Sequence, residues 1–190
     1  ISFISQQQAK KNFDSELAEL DFEGLAASAR LAWNTELGRI RVKGGTDAQK
    51  RTFYTALYRT LERMIDITED GRYYSGYDQS VHDTDRAFYV DDWVWDTYRA
   101  THPLRTILAP EVQQDMLYSY VEMYRQSGWM PTFPQVFRNH ACMNAYHSSV
   151  LFLDAYRKGL RDFDVEAAYE GVHKNITQGT WIPWRQGSYA

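Results

Sequence analysis

Between positions 46 and 65 the apolar side chains Phe53, Tyr54, Leu57, Tyr58, Leu61, Met64 and Ile65 recur at steps of three and four, the spacing that lines one face of a helix. Thr46, with Gln49 three residues on, carries the start signal of a capping box, so a helix is predicted over 46–65. Leu25, Ala29, Trp33 and Leu37 make a second stripe that stops near Gly38. Val112, Met116, Tyr120 and Tyr124 make a third, opened by Pro110 and closed by Gly128. Further helices fit 5–18, 92–108, 143–158 and 164–176, with Gly159 as a C-terminal stop.

Two stretches break the helical period. Residues 66–90, DITEDGRYYSGYDQSVHDTDRAFYV, mix turn formers with alternating aromatics and predict a long loop with short strands. Residues 131–138 predict a second irregular segment. Helices of about 12 to 20 residues, joined alternately by short turns and long loops, imply an all-α fold of helical hairpins stacked side by side. No repeat of fixed period aligns, which favours an irregular helical toroid over a short-repeat solenoid. The long loops would gather at one end as a functional rim. At 190 residues one domain suffices.

Charge and composition remove several classes of function. The net charge is -4 and no run of Lys or Arg exceeds two residues, which argues against nucleic acid or an anionic membrane as partner. The longest apolar stretches are a few residues, too short to span a bilayer. The opening ISFISQQQAKK lacks the charged start and apolar run of a signal peptide, and an initial Ile is what a processed or excised piece would show, so compartment stays open. Cys142 is the single cysteine, so no intrachain disulfide is available and it reads as structural. Aromatics reach 15%, which suits a helical core and equally suits a cleft that stacks against sugar rings. Their company decides between the two.

That company is most telling in DDWVWDTYRATHPL, residues 91–104. Asp91 or Asp92 reads as a helix cap. Asp92, Trp95, Asp96 and Arg99 fall on one stripe of the first two turns. Asp96 and Arg99 fit an exposed ion pair; a flat aromatic beside an acceptor and a forked donor also fits the grip on a polyhydroxylated ring. The stretch approximates an aspartate-rich magnesium-diphosphate motif, but the spacing is one residue too long and no second metal box follows. Farther on, RNHACMNAYHSSVLFLDAYRKG at 138–159 gathers His140, Cys142 and His147 without the fourth ligand of a tetrahedral zinc site. His147 reads as a hydrogen-bonded packing residue. Asp154, within an apolar run, must find a partner or face a polar cleft. Asn175-Ile176-Thr177 forms a glycosylation sequon.

The segments FYTALYR (53–59), EDGRYYSGYDQSVH (69–82), WDTYRATHPL (95–104), DMLYSYVEMYRQSGWMPTFP (115–134), MNAYH (143–147) and LDAYRKG (153–159) together resemble glycoside hydrolase family 92. The resemblance implies an exo-acting, calcium-dependent α-mannosidase that inverts configuration. It also implies that residues 1–190 are about the first half of a catalytic (α/α)6 barrel, with an N-terminal β-sandwich and the second half of the barrel elsewhere in a parent chain. Carried over from the family, Trp95 and Asp96 would line the mannose pocket, with Arg99 orienting Asp96 and His147 close by. Ala145 stands where the family pattern has glycine. The acid, the base and the calcium ligands would lie beyond residue 190, so no catalytic or metal-binding residue is assigned to this segment. The partners implied are a mannose-containing glycan and the remainder of the chain's own parent, in a secreted or periplasmic setting. The other reading is a non-catalytic helical domain that binds carbohydrate or scaffolds.

Overall fold

The computed structural model describes residues 1–17, 21–140 and 146–179. The chain is arranged as two compact units, Ile1–Arg63 and Met64–Ala190. In the first, α1 (Gln6–Glu16) starts at Ser5, whose hydroxyl accepts the Gln8 amide at 3.0 Å. Helix α2 (Phe22–Leu37) starts at Asp21 in the same way and ends at Gly38. The capping box of Thr46 and Gln49 opens α3 (Asp47–Arg59) as the sequence predicts. Tyr54 ties the connection back onto α3: its hydroxyl donates to the Ile40 carbonyl and accepts the Val42 amide. Helix α3 ends at Arg59 rather than running to 65. The Thr60 amide and hydroxyl both turn back onto the last carbonyls, and Ile65 leaves in extended form to pair with another strand.

The second unit begins with the strand-bearing segment. Strand β1 (Ile65–Asp66) pairs antiparallel with β4 (Tyr89–Val90), enclosing the hairpin of β2 (Arg72–Ser75) and β3 (Ser80–Asp83), in which Tyr73 faces His82. Short strands inside 66–90 are therefore present as expected. Tyr73 stacks flat on Phe88 at 3.7 Å between centroids, which pins the hairpin to the strand leading into β4.

The predicted helix over 92–108 is broken in two, α4 (Val94–Thr97) and α5 (Thr101–Leu108). Pro103, in the first turn of α5, has no amide to bond back to the Arg99 carbonyl, and a buried meeting of side chains sets the direction of α4. Asp92 contacts both Thr97 and His102. In a straight helix each five-residue step turns the side chain by about 140°, so positions 92, 97 and 102 would point three different ways. Breaking the helix lets them converge. Helix α6 (Pro110–Ser127) has Pro at its start, and Gly128 closes it at φ 78°. Helices α7 (Ser148–Arg157) and α8 (Val165–Gln178) follow, with Gly159 at φ 87° just after α7. Residues 143–145 of the helix predicted over 143–158, and Cys142, lie outside the described residues.

One face of α6 carries the core. Met116, Leu117, Tyr120 and Val121 pack with Val94, Met130, Leu151, Phe152, Ala155, Phe163 and Ala168 from the surrounding elements. Helices α6 and α8 approach closely at Gly171, where a Cβ would meet Tyr124 at 2.9 Å and the tip of Met130 at 2.8 Å. The all-α class expected from the hydrophobic period holds, with helices packed on helices and the short strands confined to 65–90.

Candidate functional site

The stretch 91–99 splits into an inward and an outward half. Asp91 takes the left-handed conformation at φ 64°, which a non-glycine residue adopts at some cost, and the turn carries Asp92 inward. Asp92, Val94 and Thr97 are buried, whereas Trp93, Trp95, Asp96 and Arg99 face outward. A one-turn helix has little stability of its own, so its orientation comes from what holds the inward half.

On the outward side the Arg99 guanidinium lies over the Trp95 ring at 4.9 Å and 5.5 Å from the Tyr98 centroid. Tyr98 in turn stacks on His147, with centroids 4.1 Å apart and planes 7° apart. Trp95, Arg99 and His147 are thus brought together, and Tyr98 is the link that sequence reading passed over. The Asp96 carboxylate is exposed and forms no side-chain hydrogen bond or ion pair among the described residues. Arg99 therefore serves the aromatic rings, not the Asp96 pair considered from sequence. His147 takes no buried hydrogen bond through Nε2, so it differs from the satisfied packing histidine expected. Burial first, and then the positive charge of Arg99, hold its imidazole below the ordinary histidine range, toward the neutral form. The result is an exposed carboxylate acceptor, a guanidinium donor and aromatic surface within one short stretch and its neighbour.

On the inward side Asp92 is no helix cap. The residue before α4 is Trp93, which makes no side-chain capping bond. Asp92 instead is fully buried, and its Oδ1 accepts the Thr97 hydroxyl at 2.7 Å. Its Oδ2 accepts the Tyr120 hydroxyl at 2.7 Å and faces His102 Nε2 at 2.8 Å. The other ring nitrogen, Nδ1, faces Gln113 Oε1 at 3.0 Å. Both ring nitrogens of His102 are thus engaged, one on Asp92 and one on Gln113. Burial pushes the Asp92 carboxyl up, but His102, Thr97 and Tyr120 outweigh it and hold the group below the usual carboxylate range. Burial pushes the Tyr120 phenol well up, so it stays a donor. The Asp92 amide also donates to the Pro134 carbonyl at 2.9 Å, joining α4 to the irregular segment after Gly128. In sequence these partners are spread over residues 92–120, and no local spacing announces them.

The remaining candidates are accounted for. Asp154 finds Lys158 one turn on at 2.6 Å. His140 rests its ring edge-on to Phe133, and its grouping with Cys142 lies partly outside the described residues. Asn175 is buried, accepting the Met130 amide and donating to the Met130 carbonyl, so the sequon presents no acceptor on the folded surface. The magnesium-diphosphate reading of DDWVWD fails because Asp92 is already fully committed inside. Calcium takes about six to eight oxygen ligands. Among the described residues no group of three or more His, Cys, Asp or Glu side chains gathers, so these residues do not fit a calcium site.

Comparison with known proteins places the chain in a family. The sequence profile of the glycosyl hydrolase family 92 catalytic domain matches residues 8–189, and the chain belongs to that family. Among solved structures, a family GH92 inverting mannosidase from Bacteroides thetaiotaomicron VPI-5482 is 40% identical, with a TM-score of 0.84 over 96% of this chain and 25% of that one. A family GH92 α-mannosidase from Bacteroides thetaiotaomicron is 28% identical, with a TM-score of 0.86 over 93% of this chain and 24% of that one. The latter has also been solved in complex with mannoimidazole. No curated protein sequence matches the chain. The chain spans about a quarter of the length of the solved structures it matches.

Proposed function

We propose that the chain is the sugar-recognition segment of an inverting, exo-acting α-mannosidase that removes terminal mannose from glycans, of the α-1,2 type. The carrying observation is the convergence of Trp95, Arg99, Tyr98 and His147 beside an uncommitted Asp96 carboxylate, in a chain whose solved relatives are mannosidases. Asp96 accepts hydrogen bonds from mannose hydroxyls and Trp95 packs against the ring. Arg99 holds Trp95 and Tyr98 in place, and Tyr98 carries His147 to the same side.

Inversion needs one carboxylic acid on the leaving oxygen and one carboxylate activating water on the opposite face, about 6.5 to 9.5 Å apart. Those groups, and the ligands of the calcium on which the activity depends, belong to the remainder of the parent chain together with the rest of the barrel and an N-terminal β-sandwich. The parent enzyme works outside the cytoplasm, secreted or periplasmic, on mannose-containing glycan with no nucleic acid or membrane as partner. The experiment is Asp96→Asn in the parent enzyme. Each charge-assisted hydrogen bond contributes about 1.5 to 3 kcal/mol, so kcat/KM falls about ten- to a hundredfold while the melting temperature holds. A folded Asp96→Asn enzyme with unchanged kcat/KM removes this residue from the sugar site.

A further inference from the structure

The buried carboxylate beneath the outward half has no role in the proposed recognition of mannose, yet its bonds bracket the two residues that do. Asp92 reaches forward to Thr97 across residues 93–96 and sideways to His102 on α5 and Tyr120 on α6. Its own amide reaches the Pro134 carbonyl. Helix α4 is one turn long, without a side-chain cap, and follows a left-handed Asp91. Rings at the two ends of that turn also touch neighbours, Trp93 on Phe133 and Tyr98 on His147, while Val94, an aliphatic side chain in the apolar core, sets depth better than rotation.

We propose that Asp92, held by His102, Tyr120 and Thr97, is a positioning residue that sets the rotation of α4 and so aims Trp95 and Asp96 at the sugar. The inference rests on the sugar-site reading above. Burial makes the device rigid. His102 Nε2 faces Asp92 Oδ2 and Nδ1 faces Gln113 Oε1, so neither Asp92 nor His102 can turn without leaving a buried polar group unpaired. Gln113 is itself fully buried, and its Nε2 makes no hydrogen bond among the described residues, so its amide is free to be oriented by His102 alone. An offset of about 1 Å in a substrate-positioning group is enough to lower turnover by about a hundredfold.

The test is a double-mutant cycle in the parent enzyme, read as kcat and KM on 4-nitrophenyl α-mannoside. Asp92→Asn keeps the shape and an acceptor for Tyr120 but loses the ionic bond to His102. Thr97→Val removes only the hydroxyl that closes the bracket, and it serves should Asp92→Asn fold poorly. Each is combined with Asp96→Asn. If Asp92 acts through Asp96 and Trp95, each single variant lowers kcat/KM by about tenfold or more, and each double variant loses less than the product of its two single effects, because part of the aim no longer matters once Asp96 is gone. Multiplying effects in the double variants, or folded Asp92→Asn and Thr97→Val enzymes with full kcat/KM, overturn the positioning role while leaving the sugar site intact. A silent Asp96→Asn single variant overturns the sugar-site reading itself, and the positioning role with it.

Discussion

Tyr98 and His147 lie face to face, centroids 4.1 Å apart and planes within 7°, although one caps α4 at its C-terminal end and the other caps α7 at its N-terminal end. The stack brings an imidazole with a bare buried nitrogen to the side of α4 that bears Arg99. Its consequence is a titration. As pH falls below about 6.5 the unfolded chain takes up a proton at His147 before the folded one does. Stability therefore falls across the interval from about 6.5 down to the depressed native value, and His147 adds no pH dependence above it. Arg99→Met removes one of the two depressing influences, so the His147 midpoint followed by NMR rises part of the way toward the ordinary value. An unmoved midpoint would remove Arg99 from the account.

For Asp92 the direction is opposite. Its native carboxyl titrates below the unfolded value of about 3.9, so its contribution is complete above that pH and is lost as pH falls through the native value. Asp92→Ala leaves Thr97, His102 and Tyr120 without their buried acceptor and costs about 3 to 5 kcal/mol. Asp92→Asn costs less, because its one carbonyl oxygen keeps an acceptor for either Thr97 or Tyr120. Denaturant unfolding of both variants at neutral pH, and of the wild type down through pH 3, measures the ranking. Equal losses for Asn and Ala would show that the retained acceptor contributes nothing.

Gly76 sits in the turn of the β2–β3 hairpin, where a Cβ would stand 2.2 Å from the Cα and the carbonyl oxygen of Phe137. Backbone cannot swing aside as a side chain tip can. Gly76→Ala therefore costs about 1 to 3 kcal/mol, as overpacking generally does, and a melting curve reads it. A melting temperature equal to wild type would show that the hairpin and the 131–140 segment are not pressed together.

Helices α7 and α8 border an apolar groove of about 560 Å3 lined by Phe152, Leu153, Tyr156, Phe163, Tyr169 and Val172. Leu153 is 57% and Tyr169 69% exposed. Apolar surface of this kind left open drives association. The isolated 190-residue chain is expected to sediment as oligomers, and Leu153→Lys with Tyr169→Lys to shift it toward monomer. A wild-type chain that stays monomeric at tens of micromolar, an arbitrary order-of-magnitude ceiling of about 50 μM for weak association, counts against this.

Where local chemistry decides, the sequence was readable. Pro110 and Gly128 bracket α6 to the residue, and Thr46 with Gln49 opens α3, because each signal acts within one turn. Residues 66–90 declared their strands through alternating aromatics. The break between α4 and α5 is marked by Pro103, which a helix admits only in its first turn, but the inward turn of α4 carried no such signal. It arises from Asp92, which must meet Thr97, His102 and Tyr120 at once, and convergence over that distance in sequence leaves no period to detect. The same reasoning explains the site. Trp95, Asp96 and Arg99 stood out as an unusual local mixture, whereas Tyr98 passed for an ordinary aromatic until its stack on His147 was seen. An aspartate before a helix most often caps it, which is all that the sequence offers for Asp91 or Asp92.

Asn175 holds the Met130 peptide from both sides, accepting its N–H at 3.2 Å and donating to its carbonyl at 2.6 Å. In a host that attaches oligosaccharides to nascent chains, this sets modification against folding as two rates. A chain that closes α8 onto Met130 first hides the amide from the transferase. A chain modified first carries a bulky substituent on the nitrogen that must enter the interior, and it cannot close. The yield of folded protein from such a host would then report which event runs faster, and a bacterial host would make the contest disappear.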